Sequence, residues 1–225
     1  MCIIKNYATF VVEKDTIYMK RCIIGFILAC LLVTAKAQKM EDIFVQIPNE
    51  YIVQLEEAWR KDLVDLYKSG KPAVLDNTMQ GKSTLYLLTD HYLKLQSTEH
   101  SVVELRLLPL VNNTYIICMI QTVYGPVADS RVSFYTTEWK RLSADDIFLP
   151  VTEDWFWKAD TDQTSKAYLS RLDMFLVKYS LSEDNTTLTA EYMTPLYLDD
   201  DNQQLVKPLL KNEPKTYIWK SGRYE

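Results

Sequence analysis

The sequence predicts an α+β domain: an antiparallel sheet meander with an N-terminal amphipathic helix and a short C-terminal helix. Three observations carry this. Apolar residues between Ile52 and Tyr67 recur at spacings of three and four, the period of a helix with one buried face. After Pro72 the period falls to two, through short β-rich runs that reach Thr136. Asn112-Asn113 and Gly125-Pro126 punctuate those runs at hairpin lengths, so neighbours in sequence become neighbours in the sheet.

Taken in order, Asn49 is the expected N-cap of the first helix. Ile52, Leu55, Trp59, Leu63, Leu66 and Tyr67 form its apolar face, and Lys68-Ser69-Gly70 ends it with a glycine. Strands are expected at 73–75, 84–88, 92–95, 102–108, 115–124 and 131–136. Val103, Leu105 and Leu107 alternate with Glu104 and Arg106, which predicts one wet face on that strand. From Leu142 to Thr164 the pattern weakens: Ser143-Ala144-Asp145-Asp146 suits a short helix cap, and Asp154-Trp155-Phe156-Trp157 has no period. Strands return at 172–181 and 187–192, followed by a helix over 203–210 and a strand over 216–219. Residues 38–225 therefore read as one domain, with a break near 145–165 as the alternative.

Residues 1–37 read as a leader. Lys20 and Arg21 precede eleven apolar residues from Ile23 to Val33, and Ala35-Lys36-Ala37 supplies a small-x-small cleavage pattern before Gln38. Eleven residues rise about 16 Å as a helix, roughly half the hydrocarbon thickness, so they do not span a bilayer. Met19 is the expected true start, with residues 1–18 an upstream extension. Cys30 follows Ala29 as in a lipoprotein site, but Leu28 is bulky and the apolar run continues, so lipid anchoring at Cys30 is the lesser reading. Export to the periplasm or cell envelope is expected, with no transmembrane helix in the mature chain.

The remaining 188 residues carry 20 positive and 28 negative side chains, a net charge of −8. That balance argues against nucleic acid, which needs clustered Lys and Arg. Only Cys118 survives removal of the leader, so no intramolecular disulfide forms and the core alone holds the fold. The apolar neighbours of Cys118 mark it as a core thiol. Two histidines in the whole chain, His91 and His100, exclude a His-rich metal site and fall near strand ends.

Gly81-Lys82-Ser83-Thr84 matches the tail of a phosphate-binding loop, but Asp76 stands where the first glycine belongs and a strand follows. A hairpin turn with Gly81 at positive φ is the simpler reading. Asp199-Asp200-Asp201-Asn202 precedes Gln203, where acids cap a helix, and neither it nor Asp160-x-Asp162 has a calcium-loop pattern. No catalytic residue, metal ligand or cofactor is assigned. The aromatic cluster Trp155, Phe156 and Trp157 is the candidate binding site, since exposed rings on an irregular stretch stack on sugars or anchor a protein. The other reading of that cluster is packing under a long loop.

Several segments resemble a Bacteroidales family of exported proteins known as a domain of unknown function. Residues 42–48 (DIFVQIP), Gly81-Lys82-Ser83, Leu88-Thr89-Asp90 and residues 92–96 (YLKLQ) carry the likeness. So do Leu107-Leu108-Pro109-Leu110, Ile117-Cys118-Met119, Asp129-Ser130, Phe134-Tyr135, Trp139 and the terminal Gly222-Arg223-Tyr224. The resemblance implies an envelope location and a sheet-rich domain, and it supplies no activity.

A non-enzymatic envelope protein that binds a protein or glycan is therefore expected. A carboxylate-based hydrolase is the alternative, because acid pairs need no sequence signature. A purely structural envelope component is the third reading.

Overall fold

The chain first forms a short helix, α1 (Met40–Val45), which buries Met40, Ile43 and Phe44. Six residues are too few to display a period, and the sequence pattern gave no sign of this helix. A computed structural model describes residues 38–112, 114–164, 166 and 174–225. The leader, with Met19, Cys30 and the cleavage site, lies outside those residues. Residues Gln38–Glu225 cluster as one compact unit.

The amphipathic helix, α2, spans Glu57–Lys68 and starts eight residues after Asn49. Ile52 and Leu55 keep their spacing for another reason: they are buried in turns before the helix, where Leu55 N–H donates to the Ile52 carbonyl at 3.2 Å. Arg60, on the buried face of α2, is only 1% exposed. Its guanidinium donates to the carbonyls of Val45, Ile47 and Leu55 and to Asn49 Oδ1. Those acceptors include the otherwise orphaned C-terminal end of α1. Burial lowers the Arg60 pKa below its ordinary value.

The meander comprises β1 (Val74–Asp76), β2 (Lys82–Leu88), β3 (Tyr92–Thr98), β4 (Ser101–Pro109), β5 (Tyr115–Tyr124), β6 (Ala128–Thr136) and β7 (Arg141–Leu142). These seven strands stand in sequence order, every neighbouring pair antiparallel. In the β1–β2 turn the positive φ belongs to Gln80 (62°), not to Gly81. The turn is shaped by Asn77, whose Oδ1 accepts the N–H groups of Met79 and Gly81 at 3.0 and 3.1 Å. Strand β2 already begins at Lys82, directly after Gly81, so no helix N-terminus stands there to hold phosphate.

Both faces of the sheet are covered. One packs α1 and α2 against Leu93, Leu105, Leu107, Ile117 and Met119. The other packs Tyr92, Leu108, Cys118, Ile120 and Phe134 against the C-terminal elements. The expected wet face of β4 is thus absent: Glu104 and Arg106 are 6% and 7% exposed. Their alternation with valine and leucine is real, but a second layer lies over them.

That second layer begins with α3 (Glu153–Phe156) and a three-stranded sheet of β8 (Val177–Leu181), β9 (Leu188–Tyr192) and β10 (Lys215–Tyr217), ordered β10-β9-β8. The strand expected over 172–181 starts at Val177, and residues 172–173 lie outside the described residues. Helix α4 spans Asp200–Val206, three residues earlier than expected, because Asp199 caps it by accepting the Asn202 N–H at 3.0 Å. A 3-10 turn, Lys207–Leu209, follows. The strand expected at 216–219 divides: β10 joins β9, while β11 (Trp219–Lys220) pairs with β12 (Arg223–Tyr224).

Strand β8 docks edge-on against the large sheet through side chains. Its N–H groups at Val177, Tyr179 and Leu181 donate to Asp129 Oδ1 (3.2 Å), Ser130 Oγ (3.1 Å) and Glu104 Oε2 (3.4 Å). Antiparallel pairing turns every second residue of an edge strand outward, so these amides need partners when buried. Arg106 completes the seam by donating to the Ser182 and Glu183 carbonyls at 3.4 and 3.0 Å.

Candidate groove beside the small sheet

Three prolines shape the region between residues 194 and 214. Pro195 opens the 3-10 turn Thr194–Tyr197, Pro208 sits in the turn after α4, and Pro214 immediately precedes β10. Each removes a donor and fixes φ, so regular pairing stops there. The result is an open groove of about 450 Å³ bounded by Glu191–Met193, the 3-10 turn, α4 and residues 210–214. Its volume falls in the range of small-ligand sites.

Apolar side chains make the floor. Phe156 stacks on Tyr192 with ring centroids 4.9 Å apart and planes 11° from parallel. Leu210 and Pro214 continue the floor, and Leu196, 54% exposed, forms one lip. Beyond it, Tyr197 and Leu205 are also exposed. The Tyr192 hydroxyl donates to Glu153 Oε1 at 2.8 Å, and burial followed by that carboxylate pushes its pKa well above the ordinary phenol value. Lys207 and Lys211 stand on the rim with Glu191 and Glu213. Glu191 is engaged by Lys178 at 3.6 Å. Lys211 donates to the Trp155 carbonyl.

The sequence-predicted aromatics divide at this place. Phe156 and Trp157 are buried, 2% and 3% exposed, so an exposed platform of three rings does not exist. Phe156 is held by Tyr192, while Trp157 forms an isolated bridge with Leu210 inside the core. Trp155 is half-buried, with Lys211 Nζ 4.3 Å and Lys215 Nζ 5.8 Å from its ring centroid. The cluster thus contributes Phe156 to the groove floor and Trp155 to its flank.

Other candidates fall elsewhere. His91 stacks on Tyr115 at 5.5 Å, and both histidines are exposed. Cys118 is fully buried, and desolvation raises its thiol pKa. Among the described residues no cluster of three or more His, Cys, Asp or Glu is placed to hold a metal ion. Nor is any helix among them long and apolar enough to cross a membrane.

Sequence reasoning missed Tyr192, Leu196, Lys207 and Lys211. Tyr192 read as an ordinary strand residue and Leu196 as loop. The four-residue spacing of Lys207, Lys211 and Lys215 amid Pro208 and Pro214 was the available signal.

Fold and groove together define an α+β domain built on a seven-stranded antiparallel meander, with a partly open site beside a smaller sheet. The chain belongs to the family described as Protein of unknown function (DUF3256), which matches residues 32–224. It is similar to a solved domain of an uncharacterized protein from Porphyromonas gingivalis W83, at 30% identity and a TM-score of 0.75. That likeness covers 84% of this chain and 98% of the other. No curated protein matches.

Proposed function

We propose that residues 38–225 are the mature form of an exported envelope protein that binds a partner through the groove beside the small sheet. The observation that carries this reading is an exposed aliphatic lip on a preformed apolar floor. Leu196 stands in water at the groove floored by the Phe156–Tyr192 stack, and the elements that bound the groove, the 3-10 turn and α4, also expose Tyr197 and Leu205. Exposed apolar groups gathered at a concave site are what a partner covers. Aliphatic lips suit a protein better than a glycan, which prefers flat exposed rings and hydrogen-bonding rims. Export rests on the charge, length and cleavage pattern of residues 20–37.

The test is capture from envelope extracts with the purified 38–225 chain and with its Leu196→Glu variant. Leu196 is exposed, so the variant keeps the fold. The reading expects one partner retained by the parent chain and lost with the variant. Equal capture by both proteins would move the site elsewhere. Sugar release from envelope polysaccharide, abolished by Glu191→Gln or Glu213→Gln, would instead establish the hydrolase alternative.

A further inference from the structure

The groove is also a gap in a β-ladder. Met193 N–H donates to the Leu176 carbonyl at 2.9 Å and Ser182 N–H to the Thr187 carbonyl at 3.0 Å. These bonds turn Thr187, Thr189, Glu191 and Met193 toward β8, so Leu188, Ala190 and Tyr192 turn their main-chain groups the other way. On that side Tyr217 stands opposite Leu188 and Lys215 opposite Ala190. The next residue in register, opposite Tyr192, is Glu213.

That pairing does not form. Pro214 ends β10, and the chain before it is drawn to another partner: Lys211 N–H donates to the Phe156 carbonyl at 2.8 Å and Lys158 N–H to the Leu209 carbonyl at 3.0 Å. Among the described residues no main-chain hydrogen bond joins Tyr192 to residues 211–214. The opening of about 450 Å³ lies between these two segments, lined by Tyr192 on one side and by Asn212, Glu213 and Pro214 on the other.

We infer that the groove receives an extended peptide segment of a partner protein, which continues the ladder at Tyr192 where β10 stops. This deepens the binding function proposed above and rests on it. Main-chain groups aligned at an open strand edge recognise another backbone, and neighbouring pockets read alternate side chains. The peptide's inward side chain lies on the Phe156 and Leu210 floor. Its charge follows from the rim. Glu191 is engaged by Lys178 and Lys211 is held at the Trp155 carbonyl and ring, which leaves Lys207 and Glu213 as the rim charges in no ion pair among the described residues. A carboxylate on the peptide, as an acidic side chain or a free C-terminus, is the matching group.

The experiment titrates the 15N-labelled 38–225 chain with acetylated pentapeptides of alternating threonine and an apolar residue (valine, leucine or phenylalanine), ending in glutamate. Each peptide is paired with a copy N-methylated at alternate amides. The expected result is a shift of the Tyr192 amide resonance with slowed hydrogen exchange, and affinity about tenfold weaker for the N-methylated copies, the loss of roughly one main-chain hydrogen bond. Lys207→Ala should weaken binding of the parent peptide and leave unchanged an analogue whose terminal glutamate carries amides at both its side chain and its C-terminus. Equal binding of the methylated copies, or binding that leaves the Tyr192 amide unmoved, overturns strand addition while the groove remains a binding site. Response to chitin or cellulose oligosaccharides alone overturns the peptide and keeps the groove. No response to any of these probes, with envelope capture still lost in the Leu196→Glu variant, overturns the inference and leaves the proposed function standing.

Discussion

Tyr92 donates its phenolic proton to Glu104 Oε1 at 2.7 Å, on the face of the sheet that β8 covers. The second carboxylate oxygen takes the Leu181 amide, and Lys94 Nζ lies 3.7 Å from the first. Removing the carboxylate leaves a buried phenol and a buried amide without partners. Glu104→Ala should therefore lose about 2–4 kcal/mol of stability, and Tyr92→Phe about 1–3 kcal/mol. The two share one network, so the double variant should cost clearly less than their sum in urea denaturation. Strict additivity would show that the contact contributes nothing.

Alkaline pH should unfold the domain. Burial raises the phenols of Tyr92, Tyr179, Tyr192, Tyr217 and Tyr224 and the thiol of Cys118. Each group holds its proton more tightly folded than unfolded. Its contribution is complete below the unfolded thiol and phenol values, about 8.5 and 10, and declines as pH climbs past them toward the raised folded values. The unfolding free energy from urea denaturation should stay flat near pH 7–8 and fall between about pH 9 and 11, at up to about 1.4 kcal/mol per pH unit for each group. A flat profile to pH 11 would contradict the burial of these groups.

Arg60 ties α1 to α2 through the carbonyls of Val45, Ile47 and Leu55. Arg60→Met keeps the apolar stem and should cost about 2–4 kcal/mol, because the freed carbonyls stay buried. Arg60→Lys should recover little, since an ammonium cannot reproduce the planar fork. Full rescue by lysine in thermal denaturation would reduce Arg60 to a point charge.

The aromatic cluster offers a contrast between neighbours. Trp157→Ala and Phe156→Ala should each lose about 3–5 kcal/mol, the scale of a large-to-small change in a core. Trp155→Ala should leave the melting curve within about 1 kcal/mol of the parent, because its ring is half in water. Comparable losses at all three positions would mean that Trp155 packs as deeply as its neighbours.

The meander was legible because hairpin turns and alternation are local: β5 matches its expected span, Tyr115–Tyr124, residue for residue. What lay over it was not. The Glu104 and Arg106 alternation reports which face they occupy, while their burial depends on β8, more than seventy residues away. Trp155, Phe156 and Trp157 drew notice as aromatics in an irregular stretch, yet their division into floor, core and flank is decided by Tyr192, Leu210 and Lys211. The groove itself is made by chain that fails to pair at Pro214, and a missing pairing leaves no periodic trace.

The side-chain seam along β8 carries a consequence for misassembly. A bare strand margin of this kind invites a second molecule to zip onto it, and here Asp129, Ser130 and Glu104 occupy the docking positions instead. Those acceptors belong to β4 and β6, whose own pairing with β5 is made by adjacent hairpins, so the carboxy-terminal layer docks on strands that are paired without it. Loss of a single acceptor, as in Asp129→Ala, would bare the Val177 amide and expose the chain to self-association well before it threatened the meander beneath.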